Sequence, residues 1–244
     1  PGLERTVWVI PLPAGPGGGP LEIRYGQFLA VGVIAGLAAI NYVGAKLGAG
    51  VQVASTVAKV ALIVAIIAAG LFFGQGGAAN LASRAAATGG LAGFFGALVA
   101  ALWAYDGWNN LNMAGSEVAD PQRNLPRALV AGVLTVTAIY AAVNLAYFLV
   151  LPASAVAASD RVAAAMMNRV LGAGGASAVS IAAMVSIFAA LNGSILTGTR
   201  VPYAMARDGL FFDGVDWVHP RRGTPGTAIA LLCGWGSLLV FSGR

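Results

Sequence analysis

Long apolar stretches separated by short polar breaks set the pattern of this chain. No Asp, Glu, Lys or Arg occurs from Tyr25 to Ala45, Val60 to Ser83, Ala85 to Tyr105, Ala128 to Ser159, Val170 to Thr199, or Gly223 to Gly243. About 20 apolar residues cross a bilayer as a helix. Strands of a membrane barrel would instead alternate apolar and polar positions over about 10 residues, and these runs do not. Lipid offers the backbone no partners, so the runs are predicted to be helices. Six spans are expected, near residues 26–43, 51–74, 90–116, 127–150, 176–200 and 225–242. Residues 1–25 contain the Pro- and Gly-rich run Pro11 to Pro20, which predicts a loop rather than a buried element. Between the fourth and fifth spans, Ser154 to Val170 is suited to a short interfacial helix with Asp160, Arg161 and Arg169 exposed.

Composition explains what surrounds such helices. Of the 244 residues, 58% are hydrophobic and only 9% charged, against roughly a quarter charged in an ordinary soluble domain. The chain lacks the charge to clothe a soluble surface, and its mean hydropathy of +0.80 points the same way. The net charge of +5 raises the question of nucleic acid. The basic residues stand singly at the ends of apolar runs, with no basic stripe interleaved with aromatics, so no nucleic-acid partner is expected. Their placement instead fits a bias of Lys and Arg to cytoplasmic loops. Lys46, Arg123, Arg127, Arg207, Arg221 and Arg222 slightly outnumber Arg5, Arg24, Arg84, Arg161 and Arg169. That puts loops 44–50, 117–126 and 201–224 in the cytoplasm. Cys233 is alone in an apolar run, without disulfide partner or metal-ligand spacing, and reads as a packing residue. No cofactor or metal is expected. Without an initiator Met or a basic leader, and ending on an apolar run, residues 1–244 read as a single transmembrane domain truncated at both ends.

The third span carries the chemistry. Trp103, Tyr105, Asp106, Trp108, Asn109, Asn110 and Asn112 crowd into it around Gly107. A central Asp costs about 2.5–3.5 kcal/mol on insertion scales, and Gly107 weakens the helix at the same point. Unwound backbone at membrane depth is tolerated where it lines a cavity or is buried in protein, and broken helices form midplane binding sites in transporters. A kinked packing helix whose polar groups bond to its neighbours is the plainer alternative. Lys59 is the second outlier, about 12 Å into its span on the helical rise, with Asp106 about 15 Å from the same face. The lysine either snorkels to the interface or serves as an internal cation that replaces a bound metal ion or carries a proton, at a depth similar to that of Asp106. Downstream, Asp120-Pro121 reads as a turn and Pro126 suits the first turn of the next helix. Glu117, Arg123 and Arg127 are placed for a cytoplasmic charge network, a brace rather than a substrate site.

Leu102 to Asn112 followed by Glu117 to Leu129 resembles amino-acid permeases of the APC superfamily, closest in look to the L-type transporters and their bacterial relatives. The resemblance continues through Asn192-Gly193-Ser194, Arg200 to Gly209 and His219 to Pro225. It implies an all-α polytopic membrane helical bundle, a partial LeuT-like fold whose six spans look like helices four to nine. It further implies that Trp103, Ala104 and Tyr105 offer backbone carbonyls to a substrate amino group, that Trp103 gates the side chain, and that Asn109 lines the pocket. Lys59 matches the lysine that stands where sodium sits in sodium-coupled relatives, which implies sodium-independent exchange. Asp106 is shared with only some members, including one that accepts cationic substrates. The family's eukaryotic light chains link to a heavy chain through a cysteine before helix four. Residues 1–25 hold none, so no disulfide-linked heavy chain is expected, and a stand-alone carrier of the bacterial inner membrane is favoured.

The leading expectation is therefore transport of L-amino acids by alternating access, with the lipid bilayer and a small-molecule substrate as partners. A carrier of polyamines or other organic cations, with Asp106 as counter-charge, competes with it, as does a non-transporting membrane subunit. An enzyme would need intramembrane nucleophiles, metal ligands or acid–base pairs. His219 lies in a loop and Cys233 stands alone, so no enzyme is expected.

Overall fold

A computed structural model describes residues 2–11, 20–74, 76–82 and 89–242. Two strands, β1 (Thr6–Ile10) and β2 (Leu21–Arg24), precede the helices α1 (Tyr25–Val43), α2 (Ala45–Phe73), α3 (Ala78–Leu81), α4 (Gly90–Trp103), α5 (Asn110–Met113), α6 (Pro121–Val150), α7 (Ala153–Ala157), α8 (Val162–Leu171), α9 (Ala173–Gly198), α10 (Arg200–Arg207) and α11 (Gly226–Phe241). Among the described residues, four stretches are long and apolar enough to cross a membrane: Tyr25–Val43, Lys46–Phe73, Pro121–Val150 and Ala173–Arg207. The expected third and sixth spans are shorter. α4 has 14 residues and α11 has 16, about 21 and 24 Å of helical rise against a hydrocarbon core of about 30 Å. α4 stops early because Gly107 and its polar neighbours interrupt the helix. It is exposed along its whole length, and an apolar helix with no polar face suits lipid or protein on every side.

Two expectations about local structure are corrected. Residues 1–25 are not simply a loop, because β1 and β2 pair as an antiparallel hairpin. Thr6-Val7-Trp8-Val9-Ile10 is rich in the β-branched and aromatic residues that fit a pleated surface. The Pro- and Gly-rich signal belongs mostly to residues 12–19, which lie outside the described residues, as does Arg84. The fourth helix also begins earlier than expected. Pro121 occupies its first turn, capped by Asp120 in the left-handed region at φ 45°, and Pro126 lies inside the helix. The connection after α6 forms two short helices, α7 and α8, rather than one, and leaves Asp160, Arg161 and Arg169 exposed as expected.

The chain divides into two compact units. One comprises residues 53–189. Its core gathers Ala146 and Val150 of α6, Leu151, and Met166 and Met167 of α8, with Ile66, Ala69 and Val179 packed against them. Methionine's flexible thioether suits such an irregular gap between a long helix and a short one.

The other unit comprises residues 1–52 and 190–244. Here α1 and α11 pack on Leu37, Ile195, Ile229 and Cys233. A polar cluster lies beside that core. Asn41 Nδ2 donates to Asn192 Oδ1 at 2.9 Å and to the Leu37 carbonyl at 2.9 Å. Asn192 Nδ2 donates to the Gly48 carbonyl at 3.2 Å and to Gln52 Oε1 at 2.9 Å. Both asparagines are buried, and Asn41 Oδ1 accepts no hydrogen bond. It faces Gly48 so closely that a Cβ there would collide with it. Asn41 cannot swing aside without losing both of its donated bonds. Gly50, two residues on, has open space around it. Gly48→Ala is therefore expected to lower the thermal unfolding midpoint in detergent through overpacking of about 1–3 kcal/mol. Gly50→Ala is expected to leave it unchanged or raise it, because alanine favours the helix by about 0.5–1 kcal/mol. Equal midpoints for the two variants would show that the close approach at Gly48 carries no energy.

Candidate functional site

The end of α4 is where helical bonding gives way. The N–H of Ala104 reaches the Ala101 carbonyl at 3.1 Å, Tyr105 reaches Leu102 at 3.0 Å, and Asp106 reaches Trp103 at 3.1 Å. These i to i+3 bonds are the tighter pattern common at helix ends. Gly107 then takes φ +95°, a left-handed backbone open to glycine at little cost. The tight pattern resumes with Asn110 to Gly107 at 3.1 Å and Asn112 to Asn109 at 2.9 Å. Thus the predicted interruption between Trp103 and Asn110 is present, as turns that join α4 to α5.

α6 braces this interruption. Tyr140 donates its hydroxyl to the Ala104 carbonyl at 2.7 Å, and its ring meets Tyr105 edge to face at 5.1 Å between centroids. No donor among the described residues reaches the carbonyls of Tyr105 or Asp106. A recess of about 370 Å³ opens here, lined by Lys59, Ala104, Tyr105, Asp106, Gly107, Trp108 and Tyr140 with α6 residues that include Gly132 and Val136. Its chemistry combines a cation, a carboxylate, two free carbonyl acceptors and two tyrosine rings. Lys59 and Asp106 share this recess, yet no ion pair joins them. Trp103 lies on an adjoining recess with Val99, Leu102, Tyr105, Asp106 and Trp108, and it is 79% exposed. Asn109 lines neither recess and is exposed.

Amino acid permeases as a family match residues 23–243 of this chain. The chain belongs to that family. Among its relatives, the serine/threonine exchanger SteT of Bacillus subtilis is 36% identical over 205 residues, covering 82% of this chain and 46% of SteT. The b(0,+)-type amino acid transporter 1 of Mus musculus is 34% identical over 205 residues, covering 83% of this chain and 42% of the mouse protein. The Asc-type amino acid transporter 1 of Mus musculus is 33% identical over 142 residues, covering 58% of this chain and 26% of that transporter. The chain spans about half the length or less of the curated relatives it matches. With its apolar helices, the permease is a multi-pass membrane protein.

One residue of the permease's recess escaped sequence reasoning. Tyr140 sits mid-way along an apolar run, 36 positions from the carbonyl it caps. Its only sequence signal is a phenolic hydroxyl in a spanning helix, where it must find a partner. Tyr140→Phe keeps the ring against Tyr105 and removes the donor. It is expected to lower the thermal unfolding midpoint in detergent by the equivalent of about 0.5–1.5 kcal/mol. An unchanged midpoint would show that the Ala104 carbonyl finds another donor at no cost.

Proposed function

We propose that these residues form part of one transmembrane domain that carries L-amino acids across the membrane by sodium-independent exchange, in the manner of a LeuT-like fold. The family match runs through both compact units. The observation that carries the reading is the interrupted helix. Tyr105 and Asp106 present carbonyls without donors beside a recess, and an ammonium group has three N–H donors to offer such acceptors. In this reading Trp103, Ala104, Tyr105, Asp106 and Asn109 serve the substrate. Trp103 covers the side chain from the adjoining recess, while the Ala104 carbonyl, held by Tyr140, fixes the turn that aims its neighbours. The relatives, a serine/threonine exchanger and two amino acid transporters, support small zwitterions as the substrate class. A stand-alone carrier of the bacterial inner membrane, with no disulfide-linked heavy chain, follows the same line.

Lys59 supplies a fixed positive charge in the recess, which makes a bound sodium ion redundant. Counterflow of labelled L-serine into proteoliposomes that hold the protein carrying these residues is expected to be equal in sodium and in choline media. Lys59→Ala is expected to slow exchange by at least about tenfold, the effect of about 1.4 kcal/mol, with folded protein recovered in normal amount. Strong sodium stimulation of the unaltered protein would reject this role for Lys59.

Asp106 makes no ion pair among the described residues and is open to the recess. That is the observation favouring the alternative, a carrier of polyamines or other organic cations, with Asp106 as their counter-charge. Asp106→Asn keeps the size and removes the charge. In competition against labelled substrate by neutral and basic amino acids and by putrescine, the variant is expected to lose affinity for cations by about tenfold or more, roughly the worth of one charge-assisted bond, and to keep its neutral substrates. Equal losses across the panel would make Asp106 structural. Transport of putrescine alone by the unaltered protein would favour the organic-cation carrier.

A further inference from the structure

The hairpin ahead of α1 has two unlike faces. Trp8 pairs with Ile23 and Ile10 with Leu21, and directly paired residues share a face, so these four side chains form one apolar patch. Val9 pairs with Glu22 and, after a bulge between Thr6 and Trp8, Thr6 pairs with Arg24. The bulge returns Thr6 to the opposite face, where Arg24 and Glu22 form an ion pair at 2.8 Å. The patch is open on its β1 side, with Trp8 68% exposed and Ile10 39%, while Leu21 and Ile23 are half-buried. A two-stranded hairpin by itself is marginal in water, and this one leaves the Trp8 and Ile10 side of its apolar face uncovered.

Its position follows from α1. Arg24 is at once the last residue of β2 and the cap of α1. α1 has 19 residues, a rise of about 28 Å, close to the hydrocarbon thickness of about 30 Å. A spanning α1 therefore sets the hairpin at the membrane–water boundary. The hairpin is tied down there, because the N–H of Tyr25 reaches the Arg5 carbonyl at 3.3 Å and that of Gly26 reaches Leu3 at 2.9 Å. Tyr25, Phe28 and Leu29 in the first turns of the helix are exposed as well, so apolar surface continues along the chain from the hairpin into α1.

We propose that the β1–β2 hairpin is an interfacial anchor, with its Trp8, Ile10, Leu21 and Ile23 face seated at the boundary of lipid headgroups and acyl chains. Tryptophan is at home at this depth, because its ring is apolar and its N–H finds partners among the headgroups. The Glu22–Arg24 pair faces water. The continuity of this patch with a lipid-spanning helix is what favours lipid over a protein as its occupant.

Site-directed nitroxide labelling tests the anchor. Trp8→Cys and Ile10→Cys report on the apolar face, Val9→Cys and Glu22→Cys on the other, each in a Cys233→Ala background. All four positions lie away from the buried core, so the variants are expected to fold. The labelled protein is placed in vesicles of phosphatidylcholine and phosphatidylglycerol. Collision with oxygen, which concentrates in lipid, is compared with collision with a water-soluble nickel chelate. The oxygen-to-nickel ratio is expected to be several-fold higher at positions 8 and 10 than at 9 and 22. Nickel-dominated collision at all four positions would overturn the proposal. So would shielding of positions 8 and 10 from both agents, the signature of a protein covering the patch.

Discussion

Hydrocarbon gives a polypeptide nothing to hydrogen-bond with, and each unmet backbone group there costs several kcal/mol. The regular helices of this permease meet that constraint by themselves. The stretch from Ala104 to Asn109 cannot, and its surroundings follow from how the deficit is met. The i to i+3 bonds keep the carbonyls from Ala101 to Trp103 paired. Gly107 supplies the backbone turn, and Tyr140 reaches across from α6 to cap Ala104. Among the groups left unpaired are the carbonyls of Tyr105 and Asp106, at a recess that also holds Lys59. A free acceptor is a liability in an apolar core and an asset in a binding cavity. The same physics thus locates the weakness in the helix and the candidate site.

In the unit formed by residues 1–52 and 190–244, the constraint is met through side chains. Asn41 and Asn192 share four donated bonds among themselves, Leu37, Gly48 and Gln52. The arrangement joins α1, α2 and α9 at one point, since Asn41 lies on α1, Gly48 and Gln52 on α2, and Asn192 on α9. The unpaired Asn41 Oδ1 occupies the space that a Cβ at position 48 would need. Polar groups buried in this way fix a single packing register, because sliding one helix past another would break several bonds at once.

Much of this could be read along the chain. The apolar runs placed the spanning segments, since a bilayer demands about 20 apolar residues in a row whatever the neighbours are. The site of the break was also legible, because Gly107 and the cluster from Trp103 to Asn112 are local departures from that demand. Family membership rested on contiguous stretches such as Glu117 to Leu129. Other features misled. The Pro11 to Pro20 composition hid the pairing of Thr6–Ile10 with Leu21–Arg24, whose own alternation is only four or five residues long. Pro126 drew the start of α6 away from Pro121, although a long helix stabilised elsewhere tolerates an internal proline near its beginning.

By itself, then, the sequence determined the solvent this protein lives in, the approximate number and place of its apolar helices, the point at which one of them fails, and the family to which it belongs. These are properties of local composition and period, and local composition suffices for them. Tertiary structure alone decided that Tyr140 caps Ala104, that Lys59 shares a recess with Asp106 without pairing to it, and that Asn41, Gly48, Gln52 and Asn192 meet. Each of those contacts joins residues separated by many turns of helix. Which faces meet depends on how helices rotate and tilt against one another, and helices this uniformly apolar carry little amphipathic stripe to announce it.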